Sequence, residues 1–266
     1  MRSMKISCIQ MNMLPQLPGK NFERAAALIK KAAEEKPDVI VLPEMWNTGF
    51  FPREGLFDLC DHNGARVKSE IGGLAKELSV NIVSGSVANI KYGKIYNTSY
   101  VFDRDGNCTA EYDKTHLFTP MGEHLSFEKG EKLCTFQLDG VKCAVVICYD
   151  IRFPELIRTL ALKDIKVLFT VAQWPQVRIP HLLTLTRARA IENQMFVACC
   201  NSCGSFSSTV YGGSSVIYDP WGETLCAAGG EEEIILADCA LSAIDEIRGS
   251  INVFCDRRPE LYQQNY

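Results

Sequence analysis

Apolar residues along the chain follow two alternating rhythms. The stretches "KISCIQM" (5–11), "DVIVLPE" (38–44), "VNIVSGSV" (80–87), "VKCAVVICYD" (141–150), "IKVLFTVAQ" (165–173) and "MFVACCNS" (195–202) are short apolar runs, most of them rich in β-branched residues. Such runs predict strands buried on both faces. Between them lie stretches with helical spacing. "NFERAAALIKKAAEE" (21–35) puts Phe22, Ala25, Ala26, Leu28, Ile29 and Ala32 on one face, with Asn21 as the N-cap. "ARVKSEIGGLAKELS" (65–79), "PELIRTLALKD" (154–164), "IPHLLTLTRARAIENQ" (179–194) and "LSAIDEIRG" (241–249) read as further helices.

Two segments depart from this strand–helix alternation. "YNTSYVFDRDGNCTAEYDK" (96–114) predicts a hairpin turning at Asp105-Gly106, and "SSVIYDPWGETLCAAGGEEEIILADC" (214–239) predicts two strands around Pro220-Trp221-Gly222. The alternation argues for an α/β layer protein, and the hairpins for mixed sheets. The tail from Ser250 to Tyr266 has no clear period and is expected to pack on the body or on a partner subunit. No linker, low-complexity tract or short repeat interrupts the chain, so one domain over residues 1–266 is expected, with a core of about 5–239.

Composition narrows the class. Of 266 residues 47% are hydrophobic and 23% charged, with net charge −4 and no basic block, which speaks against a nucleic-acid surface. The opening apolar patch is broken by Lys5, Ser7 and Gln10, and no run nears the roughly 18 apolar residues of a membrane span. A cytoplasmic protein is expected, with its 12 cysteines as reduced thiols. Cys199, Cys200 and Cys203 in "CCNSC" lack a second ligand pair, and neighbouring strand residues point to opposite faces, so no metal site is expected there. No dinucleotide fingerprint or phosphate loop is present, and no cofactor is expected.

Three predicted strands end on a reactive group: Glu44 in "LPE", Lys114 in "EYDKTH" and Cys148 in "ICYDIRFPE". A nucleophilic cysteine needs access, a base and a stabilised thiolate. A strand end in an open α/β sheet supplies the access, and a helix opened by Pro154 and aimed back at the sulfur would favour the thiolate. Taken alone, each residue could be an ordinary core thiol or solvated charge. His116 and His124 leave room for a cysteine–histidine pair instead.

These motifs resemble the nitrilase superfamily of carbon–nitrogen hydrolases. "LPE", "KTH" and "CYDIRFPE" match its signature, and "AQWP" with "RARAIENQMFVACCN" extends the resemblance to most of the chain, Lys5 to Cys239. The wording is closest to the omega-amidase branch. The resemblance implies a four-layer α-β-β-α sandwich, a homodimer or higher oligomer, and no metal. It implies Cys148 as nucleophile, Glu44 as general base and Lys114 as cationic stabiliser. Glu123 best matches a second glutamate, with Glu128 and Glu131 as competitors. The backbone N–H of Tyr149 joins Lys114 as an oxyanion donor. Trp174, Arg178 and Arg152 are the candidates for substrate contact. For Arg152 the favoured reading is structural, in which it and Asp150 brace the turn by ion-pairing within it or with another loop, and holding a substrate carboxylate is the alternative. The expected reaction is hydrolysis of a small linear amide, such as 2-oxoglutaramate or succinamate, through a thioester. An N-carbamoyl compound or a nitrile would suit the same three residues, and a non-catalytic member of the fold is the reading from another class.

Overall fold

The computed structural model describes residues 3–49 and 55–262. Two sheets lie face to face. The first runs in the order Glu233–Ala240, Ser3–Gln10, Val39–Val41, Asn81–Val83, Lys94–Phe102, Val87–Lys91 and Asp61–His62, with Cys108–Asp113 also paired to Lys94–Phe102. The second runs Thr224–Ala227, Val216–Tyr218, Phe196–Asn201, Val167–Ala172, Val141–Ile147 and Thr135–Leu138. Neighbours near the middle of each sheet are parallel and the flanking pairs mostly antiparallel, so both sheets are mixed.

The period-2 alternation of each strand builds the layers. Met4, Ile6 and Cys8 face the second sheet, while Ile9 and Met11 face the helices Pro18–Ala33 and Ala65–Leu78. Across the gap, Cys143, Val145 and Ile147 point inward, and Ala144 and Val146 meet the helices Pro154–Ala161 and Ile179–Asn193. Burial on both faces explains why these strands read as continuous apolar runs. The result is the expected α-β-β-α sandwich. Cys199 and Cys200 fall in different cores, on opposite faces of one strand, so their thiols do not converge.

Several local expectations change. Asn21 is not the N-cap: the first helix starts at Pro18, and the buried Asn21 side chain instead accepts from Leu14 N–H and donates to the Leu14 and Asn47 carbonyls. The segment 214–239 contains a third strand, Glu233–Ala240, hidden behind the acidic run Glu231–Glu233. "VNIVSGSV" breaks in two at Gly85, whose φ is +65° and where a Cβ would sit 2.0 Å from Pro43 O. Only glycine fits such an approach. The break lets Ser86 hold the segment after Val41, donating from its N–H to Pro43 O (3.1 Å) and accepting from Met45 N–H on Oγ (3.1 Å). The tail contains a short helix at Pro259–Tyr262, and Phe254 packs under the Arg158 and Arg248 guanidiniums. Its last residues, 263–266, lie outside the described residues.

Candidate active site

Glu44, Lys114 and Cys148 each lie just beyond a strand: Val39–Val41, Cys108–Asp113 and Val141–Ile147 respectively. Sheet packing brings these ends together, and Lys114 Nζ donates to Glu44 Oε1 at 2.8 Å and to both Glu123 oxygens at 2.9 Å. Glu44, Lys114 and Glu123 are all buried, at 4%, 2% and 2% exposure. Glu123 sits in a 3-10 turn, where its carboxylate also accepts from Phe118 N–H at 2.6 Å. The competitors lie elsewhere: Glu128 pairs with Lys94 at 3.2 Å, and Glu131 lines a separate polar cleft.

Two buried carboxylates around one ammonium leave a local charge of about −1, and this decides the proton inventory. Burial alone would favour a neutral amine on Lys114, but Glu44 and Glu123 outweigh it and hold the lysine well above its ordinary range. Burial raises the Cys148 thiol well above its ordinary range, Glu44's charge adds to this, and Lys114 opposes it. The resting cysteine beside Glu44 is therefore a thiol. This corrects the expectation of a thiolate stabilised by the helix at Pro154. A 3-10 turn, Cys148–Arg152, intervenes between the sulfur and that helix. Deprotonation must come from a base in contact with the thiol.

Cys148 has φ +46°, in the left-handed region unfavourable for a side-chain-bearing residue. Such strain costs roughly 1–3 kcal/mol and persists only where its surroundings impose it. Here the restraint is Asp150. Its fully buried carboxylate accepts from Ile147 N–H (3.0 Å), Tyr112 Oη (2.8 Å), Thr115 Oγ1 (3.0 Å) and His116 N–H (2.9 Å), with His116 Nδ1 also at 2.9 Å. The nucleophile turn is thus tied to both sides of Lys114. Asp150 braces the turn with another loop, but not through Arg152. His116 belongs to this brace and stacks on Phe153, while His124 is exposed.

Above the cluster opens a cavity of about 510 Å³, counting its mouth, with Cys148, Glu44 and Lys114 in its lining. Tyr149, Trp174, Arg178 and Arg152 all line it too. The Arg152 guanidinium lies 4.7 Å from the Trp174 ring centroid, with its Nη2 3.4 Å from His181 Nδ1, and that of Arg178 lies 5.3 Å from the Phe118 centroid. The brace reading of Arg152 therefore gives way to a place at the cavity wall. Among the described residues, no cluster of three metal-ligating side chains occurs.

Sequence reasoning missed two contributors. Gln173 N–H donates to Glu44 Oε2 at 2.9 Å, fixing the second oxygen of that carboxylate. Asn97 Nδ2 donates to Glu44 Oε1 at 2.9 Å and to Glu123 Oε1 at 3.3 Å. Asn97 stood in the sequence only as part of an "NTS" triplet, with nothing local to mark it; its pairing opposite Lys114 is visible only once the hairpin register is known.

Comparison with known proteins agrees with this geometry. A family model described as carbon-nitrogen hydrolase matches residues 5–249. The chain is 45% identical over 257 residues to the 2-oxoglutaramate amidase of Bacillus subtilis (strain 168), covering 97% of this chain and 98% of that protein. It is 31% identical over 275 residues to omega-amidase NIT2 of Mus musculus, covering 98% of each. Among solved structures, a CN-hydrolase superfamily protein of Xanthomonas campestris, with an arsenic adduct in its active site, superposes with a TM-score of 0.90 at 28% identity, covering 97% of this chain and 98% of that one.

Proposed function

The chain belongs to the carbon–nitrogen hydrolase family, in its omega-amidase branch, and from that premise we propose that Cys148, Glu44, Lys114 and Glu123 hydrolyse a small linear amide bearing a distal carboxylate. One observation carries the reading: a buried ammonium joins two carboxylates, and all three groups line one cavity with a strained cysteine.

Glu44 takes the thiol proton as the Cys148 sulfur attacks the amide carbon. The Lys114 ammonium and the Tyr149 N–H face the oxyanion that develops. Glu44 returns its proton to the nitrogen as the C–N bond breaks, and ammonia leaves. The acyl group stays on Cys148 as a thioester. Water, deprotonated by Glu44, attacks that thioester, the acid departs, and the sulfur regains its proton. Glu123 holds Lys114 through both carboxylate oxygens and lines the same cavity. Arg152 and Arg178 supply cationic partners for the distal carboxylate, and Trp174 holds the Arg152 guanidinium by its ring face.

The B. subtilis relative makes 2-oxoglutaramate the first substrate to try, with succinamate beside it. The test measures ammonia from these amides against N-carbamoyl amino acids and nitriles. Cys148→Ala is expected to release none and to form no acyl adduct. Dominant nitrile turnover by the unaltered protein would overturn the amidase reading, and full activity in Cys148→Ala would remove the nucleophile.

We also place the protein in the cytoplasm as a homodimer. Twelve cysteines without a disulfide suit a reducing compartment, and no helix among the described residues is long and apolar enough to cross a membrane. Ile191 and Trp221 are half-exposed, Gly222 abuts Ile191, and we assign this face to contact with a second copy.

A further inference from the structure

Asn97 lies in the strand Lys94–Phe102, and the register sets it opposite Lys114: Thr98 pairs with Asp113, and Lys114 N–H donates to Asn97 O at 2.9 Å. Alternate residues of this strand face the space between the sheets. Val101 joins the inter-sheet core, while Tyr100 and Phe102 pack beneath the helices. Asn97 shares the Val101 face and is 1% exposed, a polar amide in the interior layer. Its Oδ1 has no hydrogen-bond partner among the described residues. A buried acceptor left unpaired costs stability, so packing does not account for an amide here.

Its Nδ2 contacts do. A carboxylate offers about four lone-pair sites. On Glu44, Oε1 accepts from Lys114 and Asn97 and Oε2 accepts from Gln173 N–H, which leaves one site on Oε2 for the thiol proton. The same Nδ2 reaches Glu123, so Asn97 bridges the two carboxylates that Lys114 by itself cannot neutralise. We propose that Asn97 is a positioning residue of the reaction: it fixes Glu44 in rotation, ready for the thiol proton. A hydrogen bond donated to a carboxylate favours its charged form.

The inference rests on Glu44 acting as the base. The test follows kcat and KM for 2-oxoglutaramate and the pH profile of kcat/KM in Asn97→Asp and Asn97→Ser, alongside thermal unfolding. Losing a hydrogen bond to a charged group predicts a fall in kcat of roughly 10- to 100-fold, with KM changed by less than about threefold. The acid limb of the profile is expected to move up by about one pH unit in the serine variant, and further in the aspartate variant, which adds a like charge. A purely structural role would lower the melting temperature and leave the acid limb in place; that result overturns the proposal. Should the aspartate variant not fold, the smaller, uncharged serine carries the same test. Absence of ammonia release by the unaltered protein would instead count against the amidase reading.

Discussion

Replacing Lys114 by alanine tests the centre of the site on two axes. The substitution removes the 2.8 Å contact to Glu44 and both 2.9 Å contacts to Glu123, and leaves two carboxylates below 5% exposure facing each other. Breaking a buried pair by deleting one partner costs about 3–5 kcal/mol. Set against a total stability of about 5–15 kcal/mol, the variant is expected to fold with a clearly lowered melting temperature. Loss of one oxyanion donor is expected to slow turnover by about 100- to 1,000-fold. The pH dependence separates this account from simple loss of packing. In the unaltered protein the folded Lys114 is raised above its unfolded value, so its stabilisation is fully present below about pH 10 and fades only as pH rises through the folded value. Between pH 6 and 9 it contributes no slope. In Lys114→Ala the two carboxylates compete for a proton, so the folded state binds more protons than the unfolded one. Stability should then rise as pH falls from 9 to 6. Thermal unfolding across that range, with ammonia release on the same samples, reads both effects. A variant as stable as the parent at pH 8, or one without a new pH slope, would refute the charge accounting.

Glu44→Gln should abolish turnover yet label faster with iodoacetamide at pH 8, because Glu44's charge raises the Cys148 thiol and Lys114's lowers it; mass spectrometry of the labelled protein reads this, and slower labelling would contradict it. Arg152→Ala and Arg178→Ala should each raise KM for 2-oxoglutaramate about tenfold or more, with little change for a neutral amide of equal length. Equal effects on both substrates would remove the carboxylate role. Light scattering at micromolar concentration should give twice the monomer mass, and Trp221→Glu should halve it; a monomeric parent protein ends the dimer proposal.

The layers of the sandwich were legible because each core strand is buried on both faces and so reads as an unbroken apolar run. Glu44 and Cys148 were legible for the same reason: each is the first reactive group after such a run, whereas Lys114 follows a mostly exposed hairpin strand, Cys108–Asp113, and stood out only as the residue that ends it. What lay beyond local pattern is long-range. Asp150 looks like a turn residue that should pair with Arg152 two positions on, yet its partners are Tyr112, Thr115 and His116, more than thirty residues away. Arg152 is freed by that arrangement to face the cavity. Asn21 resembles a cap because it precedes the first apolar face, but Pro18 starts the helix one turn earlier. The acidic residues before Ile234 masked a strand because their polarity belongs to an exposed end, while Ile235, Ala237 and Cys239 alternate into the core.

The pairing of Ser3–Gln10 with Glu233–Ala240, in register from Ser3 opposite Ala240 to Gln10 opposite Glu233, also sets a schedule for the growing chain. At about 5–20 residues per second, the ribosome needs roughly 10–50 s after making the first of these strands to deliver the last. Throughout that interval the first strand can have Val39–Val41 on one side and has nothing from its own chain on the other. An unpaired edge of eight residues is a template for another chain. Its Lys5, and whatever attends the nascent chain, must guard that edge until the final strand arrives.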